Sequence, residues 1–269
     1  MKARPGSKII LVIVILVAIT PIIIMLFGSF KSNVALSGIP PDFSFKGMSF
    51  DNYEYIVKKG VFNSFLNSIS IAVGTTALVL FLDSLAGYVF AIKKFPGKRL
   101  FFTLLLCTMM IPKQILMVPT FILLTKIDLY NTLAGVILSS AAVPFGVFLV
   151  KQFMQTLPDE LFEAAKIDGC NEFQLYLKIA IPLSTPVLAA LGIFVFVLTW
   201  NDFMWQLVML TGRETLTLPL FVANLIAEKS SMPAYQFAGA VVATMPILTV
   251  FICSQRLFVS GITAGAVKG

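Results

Sequence analysis

Six long apolar runs, separated by short polar or basic turns, restrict this sequence to one class of fold. They occupy residues 9–30, 65–92, 101–124, 132–150, 183–210 and 236–258. About 20 apolar residues in a helix cross the ~30 Å hydrocarbon core of a bilayer, where a helix satisfies its own backbone hydrogen bonds. The mean hydropathy of +0.94 agrees with this environment. We predict an all-α polytopic membrane protein with six transmembrane helices in a single domain, residues 1–269.

Basic residues orient these spans in the bilayer. The first run follows Lys2, Arg4 and Lys8 and lacks a small-x-small cleavage site, which predicts an uncleaved span with a cytoplasmic N-terminus. Lysine and arginine favour cytoplasmic loops. Of the 20 such residues, twelve fall in segments that this orientation places inside and seven in segments outside. The bias is moderate, and an even number of spans also places the C-terminus in the cytoplasm.

The polar insert at residues 151–182 predicts two short helices joined by a bend. Thr156 is a candidate N-cap, and Pro158 suits a first helical turn. Gly169 is expected to end the first helix in the left-handed conformation, and Asn171 to begin a second helix that lasts until Pro182. An apolar surface on the first helix, with Leu161, Phe162, Ala165 and Ile167, fits a groove in a partner. The alternative is a capped amphipathic loop helix without a docking role.

This insert resembles a motif of a known family. Glu163, Ala164 and Ala165, followed by Gly169 and then Ile179 and Pro182, resemble the EAA loop that seats ABC importer permeases in a cytoplasmic ATPase. The one departure is Ile181, where the family usually has leucine. The resemblance assigns ATPase coupling to Glu163, Ala164, Ala165, Asp168 and Gly169.

Further stretches resemble the sugar-importing, maltose-type branch of these permeases. They are Asn67-Ser68, residues 85–91 and 95–97, Asn131-Thr132, residues 200–202 and the closing segment from Gly261. The resemblance implies the type I ABC importer permease fold in a bacterial plasma (inner) membrane. It also implies assembly with a second homologous permease, two cytoplasmic ATPase subunits and an extracytoplasmic sugar-binding protein. ATP and magnesium would bind the ATPase subunits, and this chain would bind no cofactor.

Several other classes of function are disfavoured by the residues themselves. The absence of histidine excludes a His-ligated metal and a histidine base. Gly97-Lys98 is followed by Arg99, without the glycine and the Ser/Thr that a phosphate-binding loop needs. The basic residues flank apolar runs, which disfavours nucleic-acid binding. We predict neither a catalytic residue nor a metal site in this chain.

Polar residues within the apolar runs are candidates for the translocation path, because such residues usually face a partner helix or a water-filled cavity. Trp200 could offer a flat face to a sugar, and Asn201 and Asp202 could bind hydroxyl groups or only hydrogen-bond neighbouring helices. Asp83 is expected to make a helix–helix hydrogen bond rather than a sugar contact. Lys113 should point into protein or water, and its pairing with Asp83 or Asp202 stays open.

The preferred function is therefore a permease subunit of an ATP-driven sugar importer. An ion-coupled secondary transporter, with Asp83 and Asp202 as proton carriers, is the alternative from another class, but it leaves the insert without a purpose. An ABC importer of polyols or glycerol phosphate is a second alternative. A phosphorylated cargo would favour basic groups in the path, and only Lys113 is available, so a neutral sugar is preferred.

Overall fold

Fifteen α-helices account for most of the chain in the computed structural model, which describes residues 5–229 and 231–266. Among these residues there is no β-strand. Lys2, Arg4 and the end of the closing segment lie outside the described residues. The helices are α1 (Pro5–Gly28), α2 (Asn33–Ser37), α3 (Asp51–Lys58), α4 (Val61–Ile92), α5 (Lys98–Thr108), α6 (Met117–Lys126), α7 (Leu133–Ser140), α8 (Pro144–Met154), α9 (Asp159–Ile167), α10 (Glu172–Leu175), α11 (Ile181–Leu183), α12 (Thr185–Trp200), α13 (Phe203–Met209), α14 (Leu218–Glu228) and α15 (Pro233–Ala266).

The predicted spans divide into continuous and bent helices. Over the described residues, three helices are long and apolar enough to cross a bilayer alone: Ile10–Gly28 in α1, Val61–Ile92, and Pro233–Ser254 in α15. Three more candidates are bent pairs: α5 with Lys113–Lys126 at 90°, α7 with α8 at 48°, and Glu172–Leu183 with α12 at 77°. Six spans result if each bent pair counts as one. The prediction of a single run over 183–210 missed the interruption between α12 and α13.

Two compact units are distinguished by their internal contacts, residues 1–66 with 216–248 and residues 67–215 with 249–269. In the first unit, the side chain of Lys31 is buried and donates to Asp42 at 3.1 Å and to the Lys46 carbonyl at 2.8 Å. Asn52, from α3, donates to the carbonyls of Ser29 and Lys31, both at 2.8 Å. These contacts fix the segment that connects α1 with α3.

The second unit has its core where α4, α8 and α12 meet the polar insert. Val79 and Tyr88 from α4, Val150 from α8 and Leu191 from α12 are buried together with Phe162 from α9. α9 therefore packs against a helix that is long enough to span the membrane. This core gives the insert a fixed position relative to the helices of its own unit.

Candidate translocation cavity and coupling loop

Three interruptions of helical structure meet at one cavity of about 940 Å³ in the second unit. They lie between α5 and α6, between α7 and α8, and between α12 and α13. Each interruption contributes a residue to the cavity wall: Lys113, Val143 and Asp202. Non-helical backbone at membrane depth is tolerated where it is buried in protein or lines a water-filled cavity. The three breaks therefore lie at the wall of a cavity, the kind of position in which such breaks are tolerated.

Lys113 and Asp202 form an ion pair in this cavity, with Nζ and Oδ2 2.7 Å apart. The Lys113 ammonium also lies 4.5 Å from the centroid of the Trp205 ring, within the range of a cation–π contact. Oδ1 of Asp202 accepts a hydrogen bond from the Trp205 backbone N–H at 3.1 Å and so caps the start of α13. The open question of the Lys113 partner is thus decided in favour of Asp202.

Trp205 connects all three interruptions, although the sequence did not single it out. Its side chain is only 2% exposed, and its indole N–H donates to Oγ of Ser139 at the end of α7 at 3.1 Å. The Trp205 ring therefore contacts Lys113 and Ser139, and its backbone N–H contacts Asp202, so that residues from all three interruptions meet at Trp205. The available sequence signal was its position three residues after Asp202, the spacing from an N-cap to the backbone N–H that it binds.

Trp200 is placed differently from Asn201 and Asp202, which line the cavity. It is 2% exposed, its ring stacks on Phe196 with centroids 6.0 Å apart, and it does not line the cavity. Trp200 belongs to the last turn of α12 and its ring is buried, so its contact with a sugar stays a prediction. Asn201 does line the cavity, and its amide donates to the Val197 carbonyl at 2.8 Å, which satisfies the end of its own helix.

Asp83 lies away from this ion pair. It is 3% exposed, and its Oδ2 has no hydrogen-bond partner among the described residues. The predicted helix–helix hydrogen bond is therefore not made by this atom. The carboxyl group packs against Gly146, so closely that a Cβ on Gly146 would lie 1.9 Å from Oδ2. Gly146 is in the first turn of α8, whose N-cap residue Val143 provides no side-chain hydrogen bond. The carboxyl group therefore lies beside the first turn of α8, the end of a helix that favours negative charge.

The polar insert forms the predicted pair of short helices and a bend. Gly169 adopts φ +83°, as expected for the residue that ends a helix, and the Cys170 N–H closes the turn on the Ala165 carbonyl at 3.0 Å. Asn171 and Gln174 form a reciprocal capping box that starts α10. The prediction that Thr156 caps α9 was wrong, because its hydroxyl donates to the Phe153 carbonyl at the end of α8 and Pro158 occupies the N-cap position.

The apolar surface of α9 is divided between the chain itself and solvent. Phe162 and Ala165 are buried within the second unit, with the Phe162 ring 6.4 Å from that of Tyr88. Both residues were expected on the docking surface. Phe162 instead packs against Tyr88 of α4, and Ala165 lies in the same buried core. Glu163 and Ala164 are exposed, and Ile167 is 86% exposed. We use the term coupling face for these exposed residues, Glu163, Ala164 and Ile167, to which Asp168 is adjacent and also exposed.

Contacts from α4 also reach the second part of the insert. Ser84 and Tyr176 share a hydrogen bond of 2.7 Å between their hydroxyl groups, and both residues are buried. Lys93, in the basic turn after α4, forms an ion pair with Glu172 at the start of α10. Burial, together with the nearby positive charge of Lys166, lowers the pKa of the Lys93 ammonium. The insert is therefore attached to α4 and the turn that follows it by three contacts: Phe162 with Tyr88, Tyr176 with Ser84, and Glu172 with Lys93.

Comparisons with known proteins agree on one family. The family described as "Binding-protein-dependent transport system inner membrane component" matches residues 83–264. The chain is 38% identical over 257 residues to the arabinooligosaccharides transport system permease protein AraQ of Halalkalibacterium halodurans, covering 94% of this chain and 92% of that one. It is 35% identical to the lactose transport system permease protein LacG of Rhizobium radiobacter, covering 93% and 91%.

A solved structure shows the same fold. A chain of the bacterial ABC transporter involved in import of the acidic polysaccharide alginate superposes with a TM-score of 0.83 at 23% sequence identity, over 93% of this chain and 94% of that one. Among the residues described, no cluster of acidic residues and cysteines suitable for a metal ion is present. The family model over residues 83–264 and relatives that cover more than nine tenths of the chain lead to one assignment. The chain belongs to the family of binding-protein-dependent transport system inner membrane components.

Proposed function

We propose that this chain is the transmembrane permease subunit of an ATP-driven importer of saccharides. The observation that carries the proposal is the cavity of about 940 Å³ at which three helix interruptions meet. Discontinuous helices at membrane depth are typical of substrate sites in transporters. The relatives named for arabinooligosaccharide and lactose transport support a saccharide as the cargo.

The coupling face is the proposed contact with a cytoplasmic ATPase. Glu163, Ala164 and Ile167 are exposed, while Phe162 on the opposite side of α9 packs against Tyr88 of α4. A push on the coupling face is therefore transmitted to a spanning helix rather than absorbed by a loose loop. Two ATPase subunits, which bind ATP and magnesium, would act on this chain and on a second homologous permease. Both termini would then lie in the cytoplasm, and the binding protein outside.

The alternatives receive less support from the cavity. A proton-coupled carrier needs a carboxylate that is free to titrate in the path, and Asp202 is paired with Lys113 while Asp83 lies outside this cavity. A glycerol phosphate importer needs a free basic group, and Lys113 is already paired. No bond-breaking chemistry is required of this chain, since ATP hydrolysis would occur in the ATPase subunits.

The experiment is reconstitution of the chain in lipid vesicles with a candidate second permease, ATPase subunits and a sugar-loaded binding protein. We expect ATP hydrolysis and saccharide uptake to depend on each other in the complex. Glu163→Lys should uncouple them by reversing the charge of the coupling face. Glu54→Lys is the matched control, because Glu54 is an exposed helical glutamate on α3, and it should leave coupling unchanged.

The outcomes separate the two transporter classes. Saccharide uptake that requires ATP and is lost in Glu163→Lys but not in Glu54→Lys supports the importer. Uptake by the chain alone in response to an ion gradient, unaffected by Glu163→Lys, contradicts it and favours secondary transport.

A further inference from the structure

We propose that the Lys113–Asp202 pair is a charge filter, which makes the cavity wall electrically neutral and restricts the cargo to uncharged saccharides. The inference rests on the proposed function, because it names the charge class of the cargo of that same cavity. It assigns a specificity role to Lys113 and Asp202 as a unit, rather than a cargo-binding role to either residue alone.

The pair contains the only two charged side chains among the described residues that line the cavity. Lys113 is 47% exposed and Asp202 24% exposed, so both charges are accessible from the cavity. An exposed ion pair is usually weak because two long side chains must be ordered to form it. Here each partner has a second restraint, since the ammonium lies over the Trp205 ring and the carboxylate caps α13. The pair is therefore pre-organised.

A neutral and an anionic cargo meet this pair differently. A sugar hydroxyl can accept a hydrogen bond from Lys113 and donate one to Asp202 without separating them. A carboxylate or phosphate on the cargo would compete with Asp202 for the ammonium and would leave two negative charges close together. Like charges are unfavourable, and more so in a cavity where the effective dielectric constant is below that of water. The pair thus discriminates against anionic saccharides.

The charge of the cavity can be measured without any cargo. The native cysteines Cys107, Cys170 and Cys253 are replaced by serine, and Ser140→Cys places a thiol in the cavity wall of the full complex in lipid. The probes are an anionic sulfonate and a cationic trimethylammonium thiol reagent of similar size. The measured quantity is the ratio of their reaction rates with this thiol.

Asp202→Asn isolates the charge from the helix cap, because asparagine still accepts the Trp205 N–H. It leaves Lys113 unpaired, and we expect the anionic-to-cationic rate ratio to rise about tenfold, equivalent to about 1.4 kcal/mol. Lys113→Met should lower the ratio by a similar factor. The charge swap Lys113→Asp with Asp202→Lys should return it to within about twofold of the original. Lys126→Met, which removes an exposed lysine outside the cavity, is the matched control and should leave the ratio unchanged.

A second measurement compares uptake of a neutral saccharide with that of its uronate form by the reconstituted complex. Under the proposal, Asp202→Asn increases the relative uptake of the uronate and the charge swap reverses this increase. Unchanged reagent ratios in both single variants overturn the filter, even if neutral saccharide uptake is normal. Absence of any saccharide uptake by the unmodified complex would instead contradict the proposed function, and the reagent ratios would still decide whether the pair controls the charge of the cavity.

Discussion

Gly146→Ala adds one methyl group at a position where the second unit has no room for it. An ideal Cβ would lie 1.9 Å from Oδ2 and 3.0 Å from Cγ of Asp83, and 3.1 Å from Cδ2 of Leu191. Both neighbours are buried, so neither side chain can swing into solvent to relieve the contact. Inserting a methyl group into a filled core typically costs about 1–3 kcal/mol. Replacing a helical glycine with alanine returns up to about 1 kcal/mol, and less in a first turn. We expect a net loss of about 1–2 kcal/mol of unfolding free energy.

Gly192→Ala in α12 is the matched control. Its Cβ would lie 3.3 Å from Cδ1 of Leu80, the movable end of a side chain, rather than against a buried carboxyl group. The gain in helix propensity is at least as large there, because Gly192 is inside α12, and it offsets the small cost of the contact with Leu80. The expected change in unfolding free energy is within about 0.5 kcal/mol of zero, as for most substitutions without a steric or polar conflict.

The assay is the thermal unfolding midpoint of the purified chain in detergent micelles. About 1 kcal/mol corresponds to a shift of roughly 2–4 °C for a chain of this size class, so Gly146→Ala should lower the midpoint by several degrees. Combining it with Asp83→Ala should remove most of the penalty, because the clashing oxygen is gone. Equal midpoints for Gly146→Ala and Gly192→Ala, or an undiminished penalty in the Asp83→Ala background, would refute the close packing of Asp83 on α8.

Three more predictions concern the coupling loop and the segments outside the spans. Gly169→Pro should abolish saccharide-stimulated ATP hydrolysis but leave membrane insertion normal. Proline cannot adopt φ +83°, and it lacks the N–H that donates to the Lys166 carbonyl at 3.0 Å. Gly169→Asn should retain most of the stimulated hydrolysis. Asn131→Leu should lower the unfolding free energy by about 2–4 kcal/mol, because Oδ1 of Asn131 accepts three hydrogen bonds from residues 211–215. Asn131→Asp keeps an oxygen acceptor there, so its thermal unfolding midpoint should fall less. The Ser44 N–H and hydroxyl and the Lys31 ammonium lower the pKa of Asp42 to about 2. Stability from this group is thus present above about pH 4 and lost as the pH falls toward 2, which hydrogen exchange of residues 29–50 should detect and Asp42→Asn should abolish.

A specific outcome would contradict each of these three predictions. Normal stimulation in Gly169→Pro would mean that the bend after α9 does not position the coupling face. Equal unfolding midpoints for the leucine and aspartate variants of Asn131 would mean that its oxygen does not stabilise the loop. Acid-induced exchange that is the same in Asp42→Asn would assign the pH dependence to other groups.

The sequence predicted the class of fold and the local geometry of the coupling loop because both depend on short-range signals. The length and hydropathy of an apolar run are sufficient to predict a spanning helix. Gly169 indicated a helix end, which the structure confirms with its positive φ, because few other residues adopt that conformation without strain. The EAA-type spacing indicated the permease family, which the comparisons confirm. The coupling role of this loop itself stays a prediction.

The tertiary structure alone decided which of two tryptophans belongs to the cavity and which residue pairs with Lys113. Trp200 and Trp205 lie five residues apart, on either side of the interruption at Asn201 and Asp202. The Trp200 ring stacks on Phe196, whereas the Trp205 ring contacts Ser139 and Lys113 at the cavity. Likewise, the sequence did not decide whether Phe162 faces a partner protein or α4. The hydropathy of a side chain predicts that it is removed from water, but it does not predict which surface it packs against. Contacts between residues distant in the chain, such as the 89-residue separation of Lys113 and Asp202, depend on how the helices pack.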